Sequence, residues 1–576
     1  MDSLYPVYTL KNECHDCYKC IRECHIKAIK IQSGNASVIN DRCIACGHCV
    51  TVCPAGAKQV RNDTEKVKAL FLNKEKVYVS LAPSWAGVYN VSKGKMISAL
   101  HKLGFIGVSE TALGAQEVSI ETAKILNNKK SGLFISSACP VINDYIRLYK
   151  PKFTSYIVPL ASPALTHAKL LKDTYGENIK IVFIGPCIAK KNESDEHPEL
   201  ISAALTFSEL NLWLKEEFID FDKIKEKRNV KFIPEHAYEG ALYPLEGGMS
   251  ETIRQVGINK NDVTFINVSS LEAFDSALSG IEPDKIKNKI FVEALGCAGG
   301  CINGPCISSK KSRILITSDI YSYTKYRKPV PTVPKAVVKK DYIARPVIKE
   351  EYSLPQITKA LRRISKHTDK DELNCGGCGY STCRDFVNAL IAGDAESSMC
   401  VSYMRKIAVR KASAMLRCMP SAVIMVDSKL EVLEANDSFL RMFCPDMYDV
   451  FSSRPEGIAG ASIEKIVPFW ELFKSSLETG KDIHQAHYGI EDKLYDISIF
   501  TIEYGEITGG VISDVTKTEL DRSKIAQKAR DVITKNISTV QEIASLLGEH
   551  MVETELLLNS IAEDFDTNQE NNGDVH

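Results

Sequence analysis

The chain has 576 residues, of which 44% are hydrophobic and 25% charged, and its formal net charge at pH 7 is −1. A chain of this length is expected to form roughly three to five domains. The near-zero net charge argues against nucleic acid or an anionic membrane as a partner. The N-terminus does not resemble a secretory signal, and no apolar run approaches the ~20 residues of a membrane span. We therefore expect a cytoplasmic protein.

The main chemical feature is the number and spacing of the cysteines. There are 19, and many stand two or three residues apart in strings. In a reducing compartment such strings are more typical of metal ligation than of disulfides. A secreted disulfide scaffold is the alternative that this spacing disfavours.

Residues 1–62 contain the spacing C-x2-C-x2-C-x3-C twice. The first string is Cys14, Cys17, Cys20 and Cys24, and the second is Cys43, Cys46, Cys49 and Cys53. In such strings three cysteines bind one 4Fe–4S cluster and the fourth binds the other cluster. We therefore predict two clusters, one on Cys14, Cys17, Cys20 and Cys53 and the other on Cys43, Cys46, Cys49 and Cys24. The region resembles a bacterial two-cluster ferredoxin, with His25 where proline is usual, and zinc is the disfavoured alternative.

Residues 75–345 alternate short apolar runs with helical stretches, which predicts an α/β domain. Three segments at the ends of predicted strands carry cysteine: Cys139 in "SSACP", Cys187 in "GPCIAKKNE", and Cys297 and Cys301 in "EALGCAGGC". Four thiolates from distant segments suit a buried cluster better than a surface zinc site. The glycines between Cys297 and Cys301 allow a close approach of the backbone.

These segments resemble, in order, the signature motifs of the FeFe hydrogenases, and the resemblance covers about residues 1–310. It implies that the four cysteines hold the 4Fe–4S part of an H-cluster. By position, Cys301 would bridge to a diiron subsite that carries CO, cyanide and azadithiolate. Lys190 matches a lysine that donates a hydrogen bond to a cyanide, and Glu193 matches the acid that ends the motif. H2, protons, ferredoxin and maturation proteins are the implied partners.

The chain departs from this family along the proton path. Ala138 stands where turnover enzymes have a cysteine that relays protons, and Gly185 and Leu295 replace two methionines of the pocket. Of the further relay groups, Glu121 is the one acid in register, and Val158 replaces a serine. A positioned proton-transfer group contributes about 10²–10⁴-fold to a rate, so we expect slow turnover. Three other residues could supply a different relay, with a surface or structural role as the alternative for each: Glu246, Glu293 and Cys306.

Residues 355–410 contain the third cysteine cluster of the chain. Cys375, Cys378, Cys383 and Cys400 have the spacing C-x2-C-x4-C-x16-C. The region resembles the single-cluster module found in some subunits of redox complexes and beside sensory hydrogenases. It implies one further 4Fe–4S cluster, with zinc as the alternative, that extends an electron path toward the regions that follow.

Residues 415–516 resemble a PAS domain, with a predicted helix that opens at Asn436 and a D-x-T junction after the last strand. Its ligand is not identified, and the scattered cysteines and histidines fit packing or surface positions better than a cofactor site. Residues 517–563 carry a heptad seam from Ile533 to Ile561, which predicts a coiled coil and a homodimer. A helix packed back on the PAS domain is the alternative. Residues 564–576 are polar and are predicted to be disordered.

These features together predict a multidomain α/β protein of the sensory, PAS-containing FeFe hydrogenase type. It would slowly oxidise or evolve H2 and relay its redox state to a separate kinase or phosphatase, since no such domain follows the helix. A catalytic hydrogenase that exchanges electrons with ferredoxin is one alternative. A non-catalytic relative that assembles iron–sulfur clusters is the other.

Overall fold

The computed structural model describes residues 5–225, 230–237, 239–258, 262–307, 309, 311–324, 333–348, 350–453, 457–547 and 560, with side chains through residue 539 and at 560. The chain divides into two compact units, Met1–Met404 and Arg405–His576. Among the described residues, none of the helices combines the length and the hydropathy that crossing a bilayer requires.

The N-terminal region of the first unit consists of two small antiparallel sheets and short helices. Strand β1 (Val7–Thr9) pairs with β4 (Lys58–Val60), and β2 (Ile29–Gln32) pairs with β3 (Asn35–Val38). Helices α1 (Lys19–Arg22) and α2 (His48–Val52) each contain the third cysteine of a string, and α3 (Thr64–Leu72) leads to the next region. The residues before α1 and α2, Tyr18 and Gly47, both have left-handed backbone (φ 56° and 78°), so the repeated spacing is also a repeated conformation.

Two parallel sheets form the centre of the first unit. The four-stranded sheet has the order β6-β5-β8-β9, and the three-stranded sheet has the order β10-β11-β7. Their strands are β5 (Val77–Leu81), β6 (Gly107–Glu110), β7 (Gly132–Ile135), β8 (Lys180–Gly185), β9 (Ala203–Thr206), β10 (Val263–Ser269) and β11 (Lys289–Leu295). Several read as continuous apolar runs because parallel strands are covered on both faces. Parallel strands also bring their carboxyl ends to one edge, where sites commonly form.

Helices surround these sheets. They are α4 (Trp85–Val88), α5 (Lys93–Lys102), α6 (Ala112–Asn128), α7 (Pro140–Tyr149), α8 (Pro163–Tyr175), α9 (Ala189–Glu196), α10 (Phe207–Glu216), α11 (Gly248–Gln255), α12 (Leu271–Leu278) and α13 (Arg313–Tyr323). The start of α8 is set by Ser162, whose hydroxyl accepts the N–H of Leu165, and by Pro163 in the first turn. Helices α6 and α8 pack closely at Gly114, where a Cβ would lie 2.2 Å from the carbonyl oxygen of Pro163.

A small helical region closes the first unit. It contains α14 (Leu354–Arg363) and α15 (Cys383–Ile391), and α16 (Val401–Cys418) begins directly after Cys400. The sequence-based boundary between residues 410 and 415 falls inside α16, so the two predicted domains share one continuous helix.

The second unit has a five-stranded antiparallel sheet with the order β13-β12-β16-β15-β14. Its elements are β12 (Ala422–Asp427), β13 (Val432–Ala435), α17 (Asp437–Phe443), α18 (Tyr448–Ser452), α19 (Trp470–Thr479), β14 (Ile483–Ile490), β15 (Lys493–Glu503), β16 (Ile507–Asp514) and α20 (Thr516–Leu547). Asn436 opens α17 as the sequence predicts, because its side-chain oxygen accepts the N–H groups of Phe439 and Val423, both at 2.9 Å.

The predicted heptad seam lies only partly within the described residues. Ile533 and Ile537 are on α20 and are 56% and 52% exposed. Val540, Ala544 and Leu547 belong to the helix backbone. The remaining seam positions, Met551, Thr554, Leu558 and Ile561, lie outside the described residues.

Candidate metal centre

The four predicted ligands of the central region follow strands at the carboxyl edges of the two parallel sheets. Cys139 comes after β7, Cys187 after β8, and Cys297 and Cys301 after β11. The loop between the last two needs glycine, since Gly300 has φ +98° and a Cβ there would lie 2.3 Å from the carbonyl oxygen of Pro244. The positions of all four cysteines therefore follow from the ends of three strands and from one tight loop.

Three of these cysteines surround one cavity of about 100 Å³: Cys139, Cys187 and Cys301. The other lining residues are mostly apolar or small and include Ser84, Thr111, Ala138, Phe183, Lys190, Tyr243 and Leu295. We call this space the central cavity. Cys297 lines a neighbouring cavity together with Cys24, Cys43, Cys46 and Cys49. The loop that carries Cys297 and Cys301 therefore separates the central cavity from one of the N-terminal cysteine sets.

The thiols at the central cavity resist ionisation unless a cation compensates their charge. Burial, together with the nearby Cys139, raises the pKa of Cys187 to about 11. Burial and neighbouring thiols also raise the pKa of Cys297 and of Cys301. The N–H of Gly296 points to Cys139 Sγ at 3.4 Å, as expected for a sulfur that carries negative charge. Four buried thiols with such a donor fit an iron–sulfur cluster, whose iron keeps thiolates deprotonated.

Lys190 is held in place by two buried neighbours. Its Nζ donates to Glu193 Oε2 at 2.5 Å and to Ser162 Oγ at 2.9 Å, and the Ser162 hydroxyl donates to the same carboxylate oxygen at 2.9 Å. Lys190 and Glu193 are 8% and 6% exposed. A buried ammonium of this kind attracts anionic ligands and lowers the pKa of the cavity thiols.

The structure gives a physical reason for two of the departures noted in the sequence. Ala138 lines the central cavity and packs in a cluster with Val158, and neither of these two side chains can donate a proton. At Gly185 a Cβ would lie 2.7 Å from the Phe183 ring and 2.8 Å from the Ala82 Cβ. The space that a larger side chain at Gly185 would need is therefore filled.

The candidate relay residues lie in different surroundings. Glu293 is 1% exposed on β11 and accepts the N–H groups of Met249 and Ser250 at 3.3 and 2.8 Å. Burial raises its pKa, and these hydrogen bonds oppose the rise. The negative charge of Glu293 in turn adds to the raised pKa of Tyr243, which lines the central cavity. Glu293 therefore stands close behind the cavity wall.

The two other acids and the thiol, Glu246, Glu121 and Cys306, have different surroundings from Glu293. Glu246 is exposed and accepts from Ser269 Oγ at 2.5 Å. Glu121 pairs with Lys124 at 3.4 Å on α6. Cys306 is 5% exposed, and burial together with Cys187 raises its pKa to about 12.

Two polar residues of the central cavity were missed in the sequence. Ser84 follows β5 at the same sheet edge, and its buried hydroxyl has no hydrogen-bond partner among the described residues. The Tyr243 hydroxyl forms a 2.7 Å hydrogen bond with Ser119 Oγ. Ser84 could have been found from its position at a strand end, whereas Tyr243 lies in a loop whose sequence carries no such signal.

The remaining cysteine sets are also brought together. Cys14, Cys17, Cys20 and Cys53 line one small cavity, and Cys24, Cys43, Cys46 and Cys49 line another. The N–H groups of Ala28 and Ala45 point to Cys24 Sγ and Cys43 Sγ, both at 3.4 Å. Cys378, Cys383 and Cys400 share one core, and Cys375 at the start of this set is exposed. Among the described residues, no group of three or more His, Cys, Asp and Glu side chains is arranged to hold a single metal ion.

Comparison with known families divides the chain in a similar way. Residues 75–305 match the family model described as iron only hydrogenase large subunit, C-terminal domain. Residues 6–67 match a 4Fe-4S dicluster domain, and residues 371–402 match an Fe-S cluster model.

Three curated relatives were compared with this chain. Iron hydrogenase 1 of Clostridium pasteurianum is 25% identical over 311 residues, which are 44% of this chain and 53% of that protein. The periplasmic [Fe] hydrogenase large subunit of Nitratidesulfovibrio vulgaris is 27% identical over 291 residues, 42% of this chain and 68% of that protein. The cytosolic Fe-S cluster assembly factor NAR1 of Candida albicans is 30% identical over 189 residues, 26% of this chain and 30% of that protein. The match thus spans about half of the Clostridium pasteurianum protein.

Proposed function

We propose that this chain, whose residues 75–305 match the iron-only (FeFe) hydrogenase family, binds H2 and slowly oxidises or evolves it. The observation that carries the proposal is the central cavity, where Cys139, Cys187 and Cys301 meet Lys190 in apolar surroundings. An H-cluster bound there would supply the redox metal centre at which H2 is split or formed. The curated relatives named as hydrogenases support the same activity.

The residues of this chain would bind and orient that group. The four cysteines supply its thiolate ligands, and Lys190 supplies a fixed positive charge because Glu193 and Ser162 hold its ammonium in place. The unpartnered Ser84 hydroxyl is a further donor for an anionic ligand. Phe183, Leu295 and other apolar walls keep water out, which strengthens each of these electrostatic contacts.

Proton delivery is the step that we expect to limit turnover. Oxidation of one H2 releases two protons and two electrons, and Ala138 accepts none of the protons. We propose a route that begins at Tyr243, whose pKa the charge of Glu293 helps to raise, and continues to Glu293. Next to Glu293, the Ser250 hydroxyl donates to Oδ1 of the exposed residue Asn267 at 2.6 Å and leads toward the surface.

Electron transfer has a more direct route. Cys297 lines the cavity that also contains Cys24, Cys43, Cys46 and Cys49. Each electron would therefore pass from the central site to the cluster on these cysteines, and ferredoxin is the expected external partner of a catalytic form.

Three features support a sensory role. Ala138 predicts slow turnover, the second unit has the β13-β12-β16-β15-β14 order that suits a PAS domain, and α20 follows this sheet as a signalling helix would. We propose that the redox state is passed to a separate kinase or phosphatase and that α20 pairs two copies of the chain. A catalytic hydrogenase remains the alternative if protons move quickly.

An assembly role is the second candidate, because the similarity to the assembly factor NAR1 covers part of the same region. A relative of this kind keeps the cysteines without a diiron site. Infrared spectroscopy separates the candidates, because CO and cyanide give bands that protein and iron–sulfur clusters lack.

The experiment uses the full chain matured with the diiron subsite. We expect CO and cyanide bands and slow oxidation of H2. The variant Cys301→Ser should lose the bands, whereas the control Cys306→Ser should keep them. Absence of the bands from the matured parent chain would favour the assembly role, and rapid turnover would favour the catalytic hydrogenase.

A further inference from the structure

The third cysteine set, Cys375, Cys378, Cys383 and Cys400, belongs to a region that packs against the N-terminal domain. The two regions share one apolar core, although they are more than three hundred residues apart in the sequence. Its members include Ile21, Ile29 and Ile31 on one side and Leu361, Phe386 and Val387 on the other. The region of the third set therefore packs directly on the ferredoxin-like domain.

Polar contacts fix how the two regions meet. The N–H of Ile31 on β2 donates to the carbonyl oxygen of Asp394 at 3.1 Å, and Arg42 Nη1 lies 2.5 Å from Asp394 Oδ2. The N–H of Ser33 donates to Glu396 Oε1 at 2.7 Å. Directional bonds at several points give this contact one orientation, which an apolar core alone would not specify.

The closest approach occurs at Gly379, directly after the predicted ligand Cys378. Its φ is +93°, and a Cβ there would lie 2.8 Å from Ile21 Cγ2 and 3.1 Å from the backbone nitrogen of Arg22. Ile21 and Arg22 lie between Cys20 and Cys24, which belong to the two different N-terminal sets. The turn that carries a ligand of the third set thus touches the segment that carries ligands of both others.

A half-buried cation, Lys27, lies at the same contact. Lys27 Nζ donates to the carbonyl oxygens of Ile21 and Arg22, both at 3.0 Å. Its electrostatic neighbours include Cys24 of one set and Cys378 of another. One ammonium therefore acts on two of the cysteine sets.

We propose that this contact is an electron-transfer junction, through which a cluster on the third set exchanges electrons with the N-terminal clusters inside one chain. One electron moves per event, so that one cluster is oxidised as the other is reduced, and no bond is made or broken. The third cluster would then form a side branch of the electron path that starts from the N-terminal clusters. Its last ligand, Cys400, is the residue before α16. The inference rests on the proposed function only for the origin of the electrons, which is H2.

The test measures magnetic interaction between reduced clusters by electron paramagnetic resonance. The full chain is loaded with iron and sulfide, without maturation factors, and is reduced with dithionite, so that neither H2 nor a diiron group is present. Comparison with Cys383→Ser, in which the third cluster is lost, shows which broadening and relaxation of the N-terminal signals arises from the third cluster. We expect the N-terminal signals to sharpen and to relax more slowly in this variant.

A glycine pair provides the matched variants. Gly379→Val should force the Cys378 turn away from Ile21 and should weaken the interaction at full iron content. Gly376→Val is the control, because Gly376 also has a left-handed φ (+70°) but the nearest atom to a Cβ there, the carbonyl oxygen of Tyr380, would be 4.0 Å away. This control should retain the interaction of the parent chain.

Identical N-terminal signals in the parent chain and in Cys383→Ser would overturn the proposal. If Gly379→Val loses iron, the comparison with Cys383→Ser still decides, since that comparison does not need the glycine variant. A chain that shows this interaction and yet has no activity with H2 would contradict the proposed function and leave the junction in place.

Discussion

At the scale of single residues, we expect Ala138 to limit the turnover of a hydrogenase built on this cavity. It lines the central cavity with no proton to give. We predict that Ala138→Cys raises the rate of H2 oxidation by less than the full ~10²–10⁴ of a positioned acid–base group. The gain is limited because Val158, which packs in the same cluster as Ala138, cannot exchange a proton with the new thiol.

The measurement compares the rate per matured site in the parent and the variant across pH. A larger side chain in a packed site costs ~1–3 kcal/mol of stability, so iron content has to be determined for both proteins. Ala138→Ser is the control of similar size. An unchanged rate at full occupancy would mean that another relay is already sufficient, and the link from Ala138 to sensing would then fail.

Glu293 is the residue that we expect to supply the remaining proton route. Burial raises its pKa above the ordinary carboxyl value, so it holds a proton at a pH where an exposed glutamate has lost it. Glu293→Gln keeps the shape but cannot exchange the proton, and the H2 oxidation rate should fall about 10²-fold or more. Glu246→Gln is the exposed control and should leave the rate nearly unchanged.

The raised pKa of Glu293 has a further consequence for stability. Between the ordinary carboxyl pKa and the raised native value, the folded chain binds more protons at this site than the unfolded chain does. The contribution of Glu293 to the free energy of unfolding therefore falls as pH rises through this window. Glu293→Gln should remove this slope, which parallel unfolding curves of the two proteins at several pH values would show. An equal slope in both would contradict the assignment.

At the scale of elements, local spacing predicted which cysteines come together, and it did not predict what packs around them. The C-x2-C-x2-C-x3-C spacing determines the loops before α1 and α2, so the two N-terminal sets follow from the sequence. The carboxyl ends of β7, β8 and β11 place the central cysteines in the same way. The contact of Phe183 with Gly185 and that of Gly379 with Ile21 depend on the final packing. No periodicity in a single sequence specifies contacts of that kind.

Lys27, in the turn after α1, lies near two of the cysteine sets. Loss of its positive charge should make reduction of the adjacent clusters less favourable. We expect Lys27→Gln to lower their reduction potentials by on the order of 50 mV, where about 59 mV is tenfold for one electron. Redox titration followed by electron paramagnetic resonance measures this shift. Lys27→Arg keeps the charge and should change the potentials much less, whereas equal shifts in both variants would point to a change in packing.

At the scale of the whole molecule, the cysteine sets are neighbours in space in an order that differs from their order along the sequence. The central cavity adjoins an N-terminal set through Cys297, and the third set meets the same N-terminal domain through Gly379. Cys400 of the third set directly precedes α16, which ends at Cys418. We expect a redox change at the third set to act on the second unit along the chain, through α16.

We expect helix α20 to pass such a change on to another protein. The exposure of its side chains favours pairing with a second copy of the chain. Its first turn is tied to the sheet, since Thr516 Oγ1 accepts the N–H of Leu494 at 2.9 Å. Every residue from 521 to 539 is exposed, including Ile525, Val532 and Ile533 at 68%, 58% and 56%. Within the described residues this helix therefore does not pack back on its own sheet, and a partner helix would cover these apolar side chains.

We predict that a chain ending after Leu520 is a monomer in light scattering, whereas the parent chain is a dimer. The reason is that the seam that holds two copies together is lost. The double variant Ile533→Asp/Ile537→Asp should have the same effect at full length, since two buried charges on each helix would oppose pairing. Thr534→Asp is its control, and removal of residues 564–576 should leave the mass of the assembly nearly unchanged. If the shortened chain keeps its dimeric mass, the sheet alone holds the two copies together, and α20 would then be free to contact the signalling partner.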